Sequence, residues 1–208
     1  MIDIVSSKFL QSSALVSQIE PSLKRDEIVF LARSNVGKSS LLNALTNNKS
    51  LAKVSSTPGK TRLINYFSVT FMDRETLEKI NAKFVDLPGF GYAKVSKSLK
   101  DEWEENLTNF LIQRREIKLF IHLIDARHPH LEIDSFVESF LEEYMDENQY
   151  LLKVFTKIDK LNQKEINTLK KEFPDVLMVS SAKKRGLSRL NGVIFDILKE
   201  DEDASQTI

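Results

Sequence analysis

The chain has 208 residues, 41% of them apolar and 29% charged, with lysine plus arginine balancing aspartate plus glutamate at 30 each. That length admits one domain with a sizeable core, and the composition is too apolar for a disordered chain. Zero net charge leaves no global field toward nucleic acid or membrane, and the lack of cysteine excludes disulfides and thiolate metal sites and fits a reducing cytoplasm.

The N-terminus has no basic segment followed by an apolar core, so no signal peptide is expected. No apolar run approaches the ~20 residues that cross a bilayer. A soluble, cytoplasmic protein without membrane attachment is expected. Residues 1–26 read as an N-terminal extension packing on a single domain at 27–200, and 201–208 as a flexible tail.

Short β-rich runs then alternate with amphipathic stretches, the pattern of a βαβ protein. Strands are predicted at Glu27–Arg33, Leu63–Met72, Ile80–Asp86, Lys118–Asp125, Tyr150–Thr156 and Val176–Ser180. Helices are predicted at Lys38–Thr46, Lys97–Arg115, Ile133–Asn148, Gln163–Glu172 and Leu187–Lys199. The fourth helix follows Asn162, a suitable N-cap, and stops before Pro174. Residues 73–79 are too few for a crossover helix, so the second and third strands should form an antiparallel hairpin. The expectation is an α/β fold in three layers: a mostly parallel six-stranded sheet with one antiparallel edge strand and helices on both faces.

The first strand runs into Ala32-Arg33-Ser34-Asn35-Val36-Gly37-Lys38-Ser39 and then a helix, a phosphate-binding loop with alanine at its first glycine position. Such a loop works because consecutive backbone N–H groups and a helix N-terminus converge on phosphate. Lys38 is placed to meet the β- and γ-phosphates, the Ser39 hydroxyl to ligate Mg²⁺, and Gly37 to let the backbone come close.

Two further segments close strands in the order that a guanine nucleotide site requires. Asp86-Leu87-Pro88-Gly89 ends the third strand, where Asp86 would hold a Mg²⁺-bound water and the Gly89 N–H would face the γ-phosphate. Thr156-Lys157-Ile158-Asp159 ends the fifth. Asp159 can accept from both N1–H and the 2-amino group of guanine, while the Lys157 stem lies over the base. Adenine offers neither donor, which argues against ATP. Threonine stands where the usual motif has asparagine, so one buttressing hydrogen bond is in question. Val179-Ser180-Ser181-Ala182, after the last strand, is placed to offer backbone N–H groups to guanine O6. Strand ends of parallel α/β sheets gather such loops at one edge. Between the first helix and the second strand, Ser55 to Arg62 includes Thr57 and Thr61. A threonine hydroxyl here completes Mg²⁺ coordination only while a γ-phosphate is present, which makes the loop a switch. Thr57 reads as a turn residue beside Pro58-Gly59.

ARSNVGKSSLLNALT, STPGKTRLINYF, DLPGFGYAKV, IDARHPHLEID and TKID together resemble the EngB (YihA/YsxC) GTPases of the TrmE–Era–EngA–EngB–septin group, from about Ile28 to Ala182. The resemblance implies a P-loop NTPase with a Ras-like G domain. It puts the switch threonine in the segment Gly59-Lys60-Thr61-Arg62-Leu63, making Thr61 the second Mg²⁺ ligand beside Ser39, and Lys38, Thr61 and Gly89 the catalytic set. It also implies a bacterial, monomeric protein that binds GTP and GDP, works in maturation of the large ribosomal subunit, and is needed for normal division and septation.

Where many GTPases carry a water-positioning glutamine after Asp-x-x-Gly, this chain has Phe90, which cannot hydrogen-bond water. Slow intrinsic turnover is expected, stimulated by a ribosomal partner or an ion. In related GTPases with this loop an asparagine at the place of Asn35 helps bind K⁺, which would neutralise developing charge as an arginine finger does. The alternative is that Asn35 only braces the loop. Lys60, Arg62, Lys94, Lys97, Lys100, Lys183, Lys184, Arg185 and Arg189 form a candidate basic rim for ribosomal RNA, although each cluster alone reads as a solvated face. Asp125, Arg127 and His128 could contact RNA, hold the switch or satisfy buried groups. His122 reads as a core histidine, Phe90 and Tyr92 as packing residues, and Trp103 as a fluorescence probe. Competing readings are a P-loop phosphotransferase, which needs no guanine-reading Lys-x-x-Asp, and a septin-like structural GTP binder, which needs a polymerising surface.

Overall fold

Strands that are apolar on both faces make the centre of the sheet, and their pairing decides where the loops meet. The computed structural model describes residues 1–13, 26–52, 63–90, 105, 107–110 and 114–205. In chain order the elements are β1 (Ile2–Ser13), β2 (Glu27–Ala32), α1 (Lys38–Leu45), β3 (Ile64–Asp73), β4 (Lys79–Asp86), β5 (Ile117–Asp125), α2 (Glu132–Tyr144), β6 (Tyr150–Thr156), α3 (Gln163–Glu172), β7 (Leu177–Met178) and α4 (Leu187–Ser205). They form one sheet in the order β1-β3-β4-β2-β5-β6-β7. β2 lies between β4 and β5, parallel to both, and every one of its residues is buried. Its side chains alternate between the two faces as period-two geometry demands. Ile28, Phe30 and Ala32 pack with α1 and α4, and Val29 and Leu31 pack with Val137 and Leu141 of α2. The three layers are therefore those expected.

The strand count is corrected from six to seven. Residues 2–13 form β1, antiparallel to β3, and β3 is in turn antiparallel to β4. The antiparallel part is thus two pairings, and β3 is an inner strand rather than an edge. The segment IDIVSSKFLQSS hides its strand character because it is an outer strand with most side chains half-buried or exposed, and two register shifts break its alternation. Exposed edge strands need no apolar face.

Other boundaries move little. α3 begins at a capping box in which Asn162 accepts from the Glu165 N–H and the Glu165 carboxylate accepts from the Asn162 N–H. α2 stops at Tyr144, short of the expected Asn148, because Met145 is extended and residues 146–149 close a turn. β7 is only two residues long, leaving Val179 and Ser180 outside the strand. α4 continues past the expected Lys199 to Ser205. The expected helix at 97–115 lies mostly outside the described residues; 107–110 are helical and Arg114 is not. Among the described residues no helix is long and apolar enough to cross a membrane.

Candidate nucleotide-binding site

The carboxyl ends of β2, β4, β6 and β7 converge on one edge of the sheet, and backbone bonds tie them together. Leu87 N–H donates to the carbonyl of Phe30, Phe90 N–H to that of Ala32 (3.1 Å), and Ser34 N–H back to Phe90 (3.1 Å). Val179 N–H reaches the carbonyl of Phe155 at 2.7 Å. This is the switch-point geometry of parallel sheets.

The loop from Ala32 to Ser39 turns as its sequence predicts. Asn35 takes a left-handed φ of 67°, a conformation asparagine tolerates. Gly37 sits at φ 107° as the N-cap of α1, and its carbonyl receives the Leu41 N–H at 2.9 Å. A side chain there would be strained whatever the space. Ala32 is fully buried at the end of β2, so its methyl serves the core rather than obstructing the loop.

Lys38, in the first turn of α1, pairs with the buried Asp86 carboxylate at the end of β4 and donates to the Leu87 carbonyl at 2.5 Å. Asn65 Nδ2 donates to the other Asp86 oxygen at 3.4 Å. The two motifs are therefore in direct contact. Gly89 passes so close to the loop that a Cβ would meet Ser34 Oγ at 2.9 Å. The oxygen donors here, the Ser39 hydroxyl and the Asp86 carboxylate, suit a hard divalent ion that shares its shell with phosphate oxygens. The residues fit Mg²⁺. Gly59, Lys60, Thr61 and Arg62, with Thr57 beside them, lie outside the described residues; Leu63 is exposed at the start of β3.

At the end of β6, Thr156 donates to the Val36 carbonyl at 2.8 Å and lies 3.2 Å from that of Ile124. A hydroxyl thus ties the phosphate loop to the end of β6. Lys157 stands at a left-handed φ of 57°, with its ammonium donating to the Asn35 carbonyl and, at 3.0 Å, to Asp125 Oδ2. Its stem passes over the phosphate loop, with Cε 3.7 Å from where a Cβ on Gly37 would stand. Ile158, Asp159 and Lys160 make one turn of 3-10 helix. The buried Ser180 hydroxyl donates to Asp159 Oδ1 at 2.5 Å and accepts the Lys183 N–H at 3.0 Å. That hydroxyl bond holds the Asp159 carboxyl below the usual carboxylate range. Ser180 and Arg185 exchange backbone bonds of 3.0 and 3.1 Å, closing the loop that carries Ser181 and Ala182. Lys183, Lys184, Arg185 and Arg189 are all exposed. Lys94, Lys97, Lys100, Tyr92 and Trp103 lie outside the described residues.

Two arrangements were not legible in the motifs. Arg33 Nε donates to both oxygens of Asp134, at 3.2 and 3.0 Å. Asp134, on the first turn of α2, also lies 3.5 Å from His122 Nε2. His122 is buried as expected, but between two carboxylates, since Glu138 Oε1 lies 3.2 Å from its Nδ1. Its ring also approaches Phe90 at 5.9 Å between centroids. In the second arrangement Asp125 accepts from the Arg127 side chain at 2.9 and 2.7 Å.

Comparison with known proteins follows the same lines. Residues 27–157 match the family described as 50S ribosome-binding GTPase. A relative from Aliarcobacter butzleri named "Probable GTP-binding protein EngB" is 52% identical over 197 residues, covering 92% of this chain and 98% of its own. One of the same name from Campylobacter jejuni subsp. doylei is 54% identical over 193 residues, covering 93% and 96%. Among solved structures, a crystal structure of a probable GTP-binding protein EngB aligns with a TM-score of 0.62 at 24% identity, covering 84% of this chain and 99% of that one. Era from Aquifex aeolicus, bound to GDP.AlF4-, aligns at 0.59 and 25% identity, covering 84% and 56%. The structural likenesses place the sheet and its loops in the P-loop GTPase fold. With most of its length matched by these relatives at such identity, the chain belongs to the EngB family of GTP-binding proteins.

Proposed function

We propose that this protein is a cytoplasmic, monomeric GTPase switch that binds Mg²⁺-GTP at the convergent strand ends and assists assembly of the large ribosomal subunit in bacteria, with the family's link to division and septation. The observation that carries the nucleotide reading is the Ser180-held, ionised Asp159 on the same sheet edge as the Ala32–Ser39 loop. An ionised carboxylate there accepts two donors from guanine and would be left desolvated and unpaired against adenine. Lys38 and the loop amides hold the phosphates, Gly89 N–H meets the γ-phosphate, and Ser39 and Thr61 are the side chains for Mg²⁺, which when bound offsets phosphate charge.

The family description, a 50S ribosome-binding GTPase, and the exposed cations at 183–185 and 189 support the ribosomal reading. Phe90 is buried in the core beside His122 and offers no group to orient water, which supports slow intrinsic hydrolysis. A ribosomal partner or K⁺ near Asn35 then supplies the missing stabilisation.

Equilibrium binding of GTP, GDP and ATP to the purified protein with Mg²⁺ tests the first part. Strong preference for the guanosine nucleotides, abolished in Asp159→Ala, is expected; equal binding of ATP overturns it. Cosedimentation with large-subunit precursors tests the second. Retention should need a non-hydrolysable GTP analogue and fall steeply with salt, and retention indifferent to nucleotide removes the switch. Equal GTPase rates in KCl and NaCl at matched ionic strength remove the K⁺ role.

A further inference from the structure

The segment Ile124-Asp125-Ala126-Arg127 spans the carboxyl end of β5 and belongs to neither the phosphate motifs nor the base motif. Asp125 is nonetheless the most heavily engaged carboxylate at this edge. It is 4% exposed and aligned with Thr156 in the β5–β6 register. Oδ1 accepts from the backbone N–H and Nε of Arg127, at 3.1 and 2.9 Å. Oδ2 accepts from Arg127 Nη2 at 2.7 Å and from Lys157 Nζ at 3.0 Å. Arg127 is largely exposed, so its fork orients the carboxylate from the solvent side while Lys157 approaches from the site.

Lys157 needs such a partner. Its backbone stands in the left-handed region, which costs a residue with a side chain about 1 kcal/mol or more unless the surroundings over-determine it. A lysine stem also has many rotamers to lose on ordering. Here both ends are held, the backbone by the turn into the 3-10 segment and the ammonium between Asp125 and the Asn35 carbonyl. The stem is thereby stretched over the loop before any base arrives.

We propose that Asp125 is a positioning residue for guanine recognition, acting through Lys157: its carboxylate, itself oriented by Arg127, pins the ammonium so that the lysine stem is preorganised as the platform on which the base lies. This rests on the reading of Lys157 as the residue that covers the base. Preorganisation tightens binding by removing an ordering cost rather than by adding a contact with the ligand.

The test is a double-mutant cycle on the full chain, with affinity for a fluorescent GDP measured in Asp125→Asn, Lys157→Met and the double variant, and thermal melts of each as the control for folding. Loss of one charge-assisted hydrogen bond predicts about tenfold weaker binding for Asp125→Asn. Asp125→Asn made in the Lys157→Met background should then change affinity less than about twofold, because the group it acts through is gone. Full additivity of the two losses overturns the proposal and leaves Asp125 as scaffold. If Lys157→Met alone binds as tightly as the unmodified protein, the reading of Lys157 fails instead, and the two failures are distinct. Should Asp125→Asn not fold, Arg127→Gln takes its place in the cycle, where the same pattern of non-additivity, at smaller amplitude, is required.

Discussion

The hydroxyl of Thr156 and the carbonyl of Val36, 120 positions apart in the chain, are 2.8 Å from each other across the phosphate loop. Both residues are buried, and Thr156 is also 3.2 Å from the Ile124 carbonyl. Threonine therefore braces the loop against the ends of β5 and β6 where the usual motif has asparagine. Thr156→Val keeps the shape and removes the donor, leaving the Val36 carbonyl without it. The expected cost is about 1–3 kcal/mol in unfolding free energy, together with weaker GDP binding. Denaturant unfolding and nucleotide titration of the variant measure both; an unchanged affinity shows that the loop does not need this brace.

The Ser180 hydroxyl donates to Asp159 Oδ1 at 2.5 Å and lowers the carboxyl further below its ordinary value, and on the proposed reading this carboxylate accepts from guanine. Asp159→Asn replaces one acceptor with an N–H₂ donor. Guanosine nucleotides should then bind about one to two orders of magnitude more weakly. Xanthosine nucleotides, which carry a carbonyl where guanine has its 2-amino group, should bind better than they do to the unmodified protein. Competition titrations with the two nucleotide families settle it, and a parallel loss for both families contradicts the assignment.

Sequence reading captured what is written locally. The segments Ala32–Ser39, Asp86–Gly89 and Thr156–Asp159 are each contiguous, so spacing alone singles them out as candidates, and Asn162 declares its helix start through a four-residue pattern. β1 stayed hidden because an outer strand with half its side chains in water has no apolar signature. The Arg33–Asp134 and Asp125–Lys157 contacts stayed hidden because each joins residues far apart in the chain. No spacing rule links such positions; only the order of strands in the sheet does. His122 illustrates both sides: its apolar surroundings marked it as buried, while the two carboxylates flanking it come from α2 and were invisible from the strand.

That flanking makes stability depend on pH. Burial by itself would favour neutral His122, but Asp134 and Glu138 outweigh it and raise the imidazole above its ordinary value. Arg33 on Asp134 and Lys153 on Glu138 share the same carboxylates and moderate the effect. A folded-state pKa above the unfolded one, about 6.5, contributes stability that is complete below that value and lost as pH rises through the raised one. Melting temperature should therefore fall as pH climbs from neutral into the alkaline range. His122→Gln should start lower and lose that slope. Thermal melts of the two proteins across the range compare them directly, and identical slopes refute the assignment to His122.

Two glycines, one just before α4 and one inside it, are expected to respond in opposite directions to the same change. Gly186 precedes α4 at φ 74°, and a Cβ on it would stand 2.2 Å from the Met178 carbonyl oxygen and 3.2 Å from its carbon. No side-chain rearrangement relieves a clash with backbone, so Gly186→Ala must shift β7 or the turn. Val179 to Ala182, the loop proposed to meet the guanine edge, follows directly on that strand. Gly186→Ala should thus lose about 1–3 kcal/mol of stability and weaken GDP binding together. Gly192 lies inside α4 with nothing within 4 Å of a built Cβ. There alanine restricts the unfolded chain and favours the helix, so Gly192→Ala should gain about 0.5–1 kcal/mol and leave binding untouched. Unfolding and titration of the pair form an internal control. A Gly186→Ala variant that melts lower yet binds GDP normally would separate the loop from the strand that carries it and refute that coupling.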